Sequence, residues 1–169
     1  MIRYIKRHHK VVSLLLIAIV LMIIIHFKQS ISFSSKLKIY AAGSGEDMMS
    51  HPDTAREIIA LSGKANPRVL YIGTATYDNT KSEVHQTSRF VEQGCSVTSL
   101  KIAHTRIPDS NAIQNLFLHA DIILISGGNT LYAVDRWHEL GIDDLIREAG
   151  YRGTVLAGGS AGGIVWFDG

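Results

Sequence analysis

Cysteine is almost absent from this sequence, which has a single thiol, Cys95, among 169 residues. One thiol excludes an internal disulfide and a zinc site built from several thiolates. The surrounding pattern is typical of the start of a half-buried strand, which favours Cys95 as a small core residue over a reactive nucleophile. We expect neither a metal ion nor a cofactor.

Acidic residues are missing from the first part of the chain. Residues 1–38 contain seven of the 17 Lys and Arg residues and no Asp or Glu, so residues 39–169 carry ten basic and 15 acidic side chains, a net charge of −5. The positive charge of the whole chain therefore comes from its N-terminal extension. No basic stripe with interleaved aromatic residues follows, which argues against a nucleic-acid partner.

A long apolar run does occur near the N terminus. Residues 11–27 are apolar except for Ser13 and His26, and a basic stretch precedes them. As a helix this run rises about 25 Å, slightly less than the roughly 30 Å of a bilayer core. We predict that residues 1–27 are a basic flank and signal anchor, a transmembrane helix with its N terminus in the cytoplasm. The alternative is a signal peptide cleaved near Ser30-Ile31-Ser32, which leaves a secreted protein.

A Ser-rich linker at 28–36 separates this segment from a domain at 37–169, in which strands and helices alternate. We predict strands at 37–42, 68–73, 95–100, 121–125 and 154–157, and helices at 54–61, 81–93, 108–119, 131–140 and 143–148. The strands are apolar without polar alternation, which indicates an α/β fold with an open, mostly parallel sheet and helices on both faces. Function in such sheets collects at the carboxyl ends of strands, which predicts that four segments are neighbours in space: 43–47, 74–78, 126–130 and 158–163.

The last of these segments contains the pattern G-x-S-x-G, in which Ser160 lies between Gly158 and Gly162. A strand that runs into such a serine and then into a helix is typical of the nucleophile elbow of serine hydrolases. We predict Ser160 as the nucleophile. The oxyanion hole needs two N–H donors, for which we predict Ala161 and either Gly127 or Gly128. Asn129 is interpreted as the N-cap of the next helix, which would also position the glycine loop.

A serine nucleophile needs a base, and the sequence after Ser160 contains no histidine and only one carboxylate, Asp168. Among the upstream histidines, His51 is the one expected near the strand ends. We interpret His85, His119 and His138 as helix-surface residues. We therefore expect the base in sequence beyond Gly169.

Three motifs of the domain together resemble a known family. They are Gly-Thr-Ala at 73–75, Ile-Ser-Gly-Gly-Asn-Thr at 125–130, and Leu-Ala-Gly-Gly-Ser-Ala-Gly-Gly-Ile-Val-Trp-Phe at 156–167. With this spacing the chain from 37 to 169 resembles the serine peptidases that include aspartyl dipeptidase and cyanophycinase. The resemblance implies a fold like that of class I glutamine amidotransferases, with serine in place of cysteine at the elbow. It also implies hydrolysis of peptide bonds next to aspartate, with Ser160 as the nucleophile and Gly128 and Ala161 as the oxyanion hole.

The chain departs from this family after the elbow, where the family has its histidine and its acid. We therefore expect the domain to be truncated after the elbow, and this chain to be a fragment or a truncated product that lacks both groups. The expected partners are a small Asp-containing peptide and, through residues 11–27, a membrane.

Two other functions stay open. One is a non-catalytic binding module that retains the pocket. The other is a nucleotide-binding α/β domain, for which Gly43-Ser44-Gly45 is a weak indication because it lacks the third glycine and the later acid of the dinucleotide fingerprint.

Overall fold

The computed structural model describes Met22 and residues 37–45, 47–104 and 106–167. The predicted anchor at 1–27 and linker at 28–36 thus lie outside the described residues, apart from Met22, as does Asp168. In the described part of the chain, no helix has both the length and the apolar character needed to cross a membrane. The chain divides into residues 1–35 and 36–169, and the account below concerns the second unit.

Strands and helices alternate along this unit much as the sequence predicts. The strands are β1 Lys38–Ala42, β2 Arg68–Ile72, β3 Ser96–Leu100, β4 Ile122–Ile125 and β5 Val155–Gly159. The helices are α1 Pro52–Ser62, α2 Thr80–Glu92, α3 Ser110–His119, α4 Thr130–Leu140, α5 Ile142–Tyr151 and α6 Ala161–Ile164. A 3₁₀ turn, Thr74–Thr76, follows β2 and was not predicted.

The described strands form one sheet in the order β1-β5-β4-β2-β3, and every neighbouring pair is parallel. This confirms the predicted α/β architecture. Successive residues of β2 enter different cores, because side chains of a strand alternate between the two faces. Leu70 packs with Phe117 and Trp137 on one face. Tyr71 packs with Phe90 on the other.

The helix ends follow local rules that the sequence carries. Asn79, Asp109 and Asn129 each accept a hydrogen bond from a backbone N–H of the first turn of the helix that follows. Helix α1 ends at Gly63 and α4 ends at Gly141, and both glycines adopt the left-handed conformation. These caps fix where each helix begins and ends, and so where each connecting loop reaches the carboxyl edge of the sheet.

Strand β5 is longer than predicted. Gly158 and Gly159, which the sequence assigns to the turn, instead pair in register with Ala41 and Ala42 of β1. Tertiary pairing overrides the low strand propensity of glycine here. As a result, the turn is confined to the single residue that follows, Ser160.

Candidate functional site

Ser160 lies between the end of β5 and the start of α6 with φ 55° and ψ −124°. Its N–H donates to Ala42 O at 2.9 Å, and its carbonyl accepts from the N–H groups of Gly163 and Ile164 at 2.9 and 3.0 Å. A positive φ is costly for a residue with a Cβ and is held only where the surroundings fix it. The structure therefore places the side chain that we predict as nucleophile at a strained strand-to-helix turn.

The two glycines that flank the serine at positions −2 and +2 are required by close backbone contacts. A Cβ on Gly158 would overlap Gly162 O and would lie 2.8 Å from Ile125 O. A Cβ on Gly162 would overlap Ile125 O. No side chain can yield at either position, because the opposing atoms belong to the backbone. The G-x-S-x-G pattern thus has a direct steric cause in this fold.

Loops from β1 and β4 meet at the elbow. A Cβ on Gly127 would lie 3.2 Å from Ser160 Cβ and 3.1 Å from Gly159 O. A Cβ on Gly45 would lie 3.0 Å from Gly159 O and 3.3 Å from Gly127 Cα. Backbones can approach one another this closely only where side chains are absent. The convergence of strand-end segments predicted from the sequence is therefore present.

The exposed Ser160 side chain opens onto a cavity of about 630 Å³. Small-molecule sites in proteins have volumes of this size. The segments after β1, β2, β4 and β5 all contribute to it, and so does the first half of α2. Its lining residues are Gly43, Ser44, Gly45, Thr76, Lys81, Ser82, His85, Gln86, Gly127, Gly128 and Ser160.

Gly128 and Ala161 carry the backbone N–H groups that we predict as oxyanion donors. In the described part of the chain, neither N–H donates to another backbone group. Gly128 has φ 124°, and a Cβ there would overlap Ala75 O, so this loop also depends on glycine. Ala161 directly follows Ser160 in the sequence, and Gly128 lines the cavity that Ser160 enters. The oxyanion role itself stays a prediction.

Asn129 caps α4, as the sequence predicts, and it also ties two loops together. Its Oδ1 accepts from Tyr132 N at 3.1 Å, its N–H donates to Ala75 O at 2.9 Å, and its Nδ2 donates to Tyr77 Oη at 2.9 Å. Tyr77 is itself in the left-handed region at φ 56°, and its ring lies 4.7 Å from that of Tyr132. These contacts hold the Gly127-Gly128 loop against the segment that follows β2.

The histidines are distributed differently from what the sequence indicates. His51 caps α1, where its Nδ1 accepts from Asp53 N at 3.2 Å, and it does not line the cavity. His138 is hydrogen-bonded to Asp143 at 3.0 Å, also away from the cavity. His85 is an exposed residue of α2, as the sequence predicts, and the helix face that carries it also lines the cavity.

A signal for His85 was present in the sequence. It lies one helical turn after Lys81 on the helix that follows the carboxyl end of β2, where binding residues collect. The prediction missed it because it treated only loop segments as site-forming. A face of α2 also reaches the cavity.

A buried phenol lies next to Thr76, a residue of the cavity lining. Burial raises the pKa of Tyr71 to about 12, and the nearby hydroxyls of Thr76 and Ser126 oppose that shift without cancelling it. Tyr71 therefore stays neutral at physiological pH. It contributes no charge that would compete with a nucleophile or an oxyanion.

Comparisons with known proteins agree with this geometry. The model of peptidase family S51 matches residues 39–169. The uncharacterized peptidase YgaJ of Bacillus subtilis (strain 168) is 31% identical over 134 residues, which cover 78% of this chain and 56% of YgaJ. This chain thus spans little more than half the length of that relative.

Two solved structures have a similar fold at 22% sequence identity. A protein described as a peptidase E from Listeria monocytogenes EGD-e superposes with a TM-score of 0.61 over 75% of this chain and 60% of its own. A peptidase from an acI-B1 Actinobacterium superposes with a TM-score of 0.59, over 73% of this chain and 53% of its own. The family match, which begins within β1 at residue 39, confirms the resemblance drawn from the three motifs. The chain belongs to peptidase family S51.

Proposed function

We propose that this protein is a serine-type peptidase that cleaves through an acyl-enzyme on Ser160. The observation that carries the proposal is the position of Ser160, a positive-φ residue at a strand-to-helix turn whose side chain opens onto the cavity. In the proposed reaction Ser160 Oγ attacks the substrate carbonyl carbon and gives up its proton to a base. The N–H groups of Gly128 and Ala161 would donate to the oxyanion that forms. The amine then leaves with a proton, and water hydrolyses the ester.

This reaction also needs a base, and we assign that role to none of the described residues. By the family resemblance it follows the elbow, together with its acidic partner. General-base catalysis contributes roughly 10²- to 10⁴-fold. We therefore expect this 169-residue chain to hydrolyse Asp-containing dipeptides slowly or not at all. A chain extended with the corresponding family sequence should hydrolyse them faster.

The proposed substrate is a short peptide with aspartate at the scissile bond. The family resemblance supports this choice, and the cavity volume suits a ligand of dipeptide size. The test uses the extended chain as the enzyme and measures the leucine released from Asp-Leu, Asn-Leu and Ala-Leu by chromatography. A preference for aspartate predicts the fastest release from Asp-Leu.

In the extended chain, which would supply the base, the nucleophile is tested by covalent labelling with a fluorophosphonate, which reacts with activated serines. We expect an adduct that peptide mass spectrometry maps to Ser160 and that disappears in Ser160→Ala. Ser82→Ala is the matched control, because it removes another hydroxyl from the cavity lining and should keep the adduct. An extended chain that folds and binds Asp-Leu but gives no adduct would instead be a non-catalytic binding module.

We also propose that residues 11–27 attach the protein to a membrane, with the N terminus in the cytoplasm. The support is the basic flank followed by a 17-residue apolar run. Fractionation of cells that express the full chain should place it in the membrane pellet after a carbonate wash. Recovery of a shortened protein from the medium would favour the cleaved signal peptide.

A further inference from the structure

We propose that Lys81 binds a substrate carboxylate and so gives the site its preference for acidic peptides. This inference rests on the proposed function and concerns the wall of the cavity that α2 forms. Four residues of that helix line the cavity together with Ser160: Lys81, Ser82, His85 and Gln86. Lys81 and His85 are one turn apart, so both polar side chains lie on the same face of the helix.

Lys81 is a cation of this wall for which the described residues provide no acidic partner. Among the described residues, no carboxylate forms an ion pair with Lys81, and none lines the cavity. The acid nearest to it in sequence, Glu83, is already engaged with Ser99 Oγ at 2.6 Å and Lys101 Nζ at 3.3 Å. The ammonium charge is therefore available to a ligand.

The start of α2 does not compete with Lys81 for an anion. Asn79 Oδ1 accepts from the N–H groups of both Lys81 and Ser82, at 2.9 and 3.1 Å. These backbone donors are thus satisfied within the protein. The charged donor that the helix start presents to the cavity is the side chain of Lys81, and a carboxylate is the partner that an ammonium binds most strongly in peptides.

Gln86 supplies an independent indication that a ligand completes this wall. Its side chain lines the cavity and is only 5% exposed, yet its Oε1 has no hydrogen-bond partner within the described part of the chain. Buried polar atoms without a partner are rare in native proteins and mark places where water or a ligand is needed. The α2 wall therefore places Lys81, which has no carboxylate partner among the described residues, next to a glutamine whose buried Oε1 is unsatisfied, and both residues line the cavity that Ser160 enters.

The test is a binding measurement that does not depend on catalysis. The full chain carrying Ser160→Ala, purified in detergent, is titrated by calorimetry with Asp-Leu and with its neutral near-isostere Asn-Leu. We expect Asp-Leu to bind about 10- to 100-fold more tightly, the range of a charge-assisted hydrogen bond. Adding Lys81→Gln should abolish this ratio, whereas Lys81→Arg should keep most of it.

Lys64→Gln is the matched control, since it removes the same charge beside Asp121 at the amino edge of the sheet, away from the cavity lining. It should leave the ratio unchanged. The proposal is overturned if the folded chain binds both peptides equally or neither, if Lys81→Gln keeps the ratio, or if Lys64→Gln loses it as well. A failure of Ser160 to react with fluorophosphonate in the extended chain would contradict the proposed chemistry and leave this binding ratio unaffected, so the two failures are distinguishable.

Discussion

The two edges of the parallel sheet are built from different kinds of contact. At the amino edge, side chains connect the elements: Asp121, before β4, accepts from Arg68 N–H at 2.9 Å and from Lys64 Nζ at 2.6 Å. At the carboxyl edge, backbones meet directly at Gly45, Gly127 and Gly158. Removing one side chain at the amino edge leaves a gap that can relax. Adding one atom at the carboxyl edge forces backbones apart, and the lack of side chains there is also what leaves room for a ligand.

The largest effect expected from this difference is at Gly158. Gly158→Ala should destabilise the fold by at least about 3 kcal/mol, because the new Cβ would overlap Gly162 O and cannot be relieved by a rotamer change. Denaturant unfolding followed by circular dichroism measures the change. Gly43→Ala is the control at the same edge, since a Cβ there meets nothing within 4 Å, and it should cost no more than about 0.5 kcal/mol. Equal effects at the two glycines would contradict the steric argument.

At the amino edge, Asp121→Asn should cost about 2 kcal/mol, because it removes the charge that receives the Arg68 and Lys64 hydrogen bonds. Burial alone would raise the pKa of Asp121, but the Arg68 N–H and the Lys64 ammonium outweigh it, so the pKa in the folded protein is lowered.

The sign of the pH dependence follows from that lowered pKa. The stabilisation by Asp121 is fully present above the unfolded-state pKa of about 3.9 and is lost as the pH falls through the lower pKa of the folded state. Unfolding free energies of wild type and Asp121→Asn should therefore converge below about pH 3.9. Asp144→Asn, which removes a 71%-exposed partner of Arg147, is the control and should cost about 0.5 kcal/mol or less. A difference that persists unchanged into strong acid would show that the charge of Asp121 is not responsible.

A smaller effect is expected at Asn129, where a side chain does act at the carboxyl edge. Asn129→Ala should cost about 1 kcal/mol, because the first turn of α4 loses its cap. Asp109→Ala removes the corresponding cap of α3 and should cost a similar amount. Only Asn129→Ala should also weaken Asp-Leu binding, since the Asn129 side chain donates to Tyr77 Oη and so helps to hold the Gly128 loop against the segment that follows β2. If Asp109→Ala weakens binding equally, the Asn129 effect is one of stability alone.

The smallest effect is expected at His51. His51→Ala should cost about 0.5 kcal/mol through the weak cap of α1 and should leave the rate of fluorophosphonate labelling within twofold of wild type. The reason is that His51 does not line the cavity. A loss of labelling of tenfold or more, with the fold intact by circular dichroism, would restore His51 as a candidate base.

Much of the architecture could be predicted because its causes are local. The apolar strands, the caps at Asn79, Asp109 and Asn129, and the terminating Gly63 are each specified within a few residues of sequence. The elbow was predictable because its G-x-S-x-G pattern after an apolar strand is a local sequence signature, although the glycines that flank Ser160 also avoid contacts with Ile125 on another strand. The 3₁₀ turn at Thr74–Thr76 was not, because Trp137 Nε1 on a distant helix donates to Thr74 Oγ1 and helps to hold it.

The sequence alone determined the strand order in the chain, the elbow at Ser160, the capped helices and the family. The tertiary structure decided which surface faces the serine. The sequence around Lys81, His85 and Gln86 has the polar pattern of an ordinary helix surface. Only the β2-to-α2 crossover carries that face of the helix to the cavity. It also decided that His51 would be a cap and not a neighbour of Ser160. Local preferences act over a turn or two of chain, whereas a site is assembled by packing between segments that lie tens of residues apart.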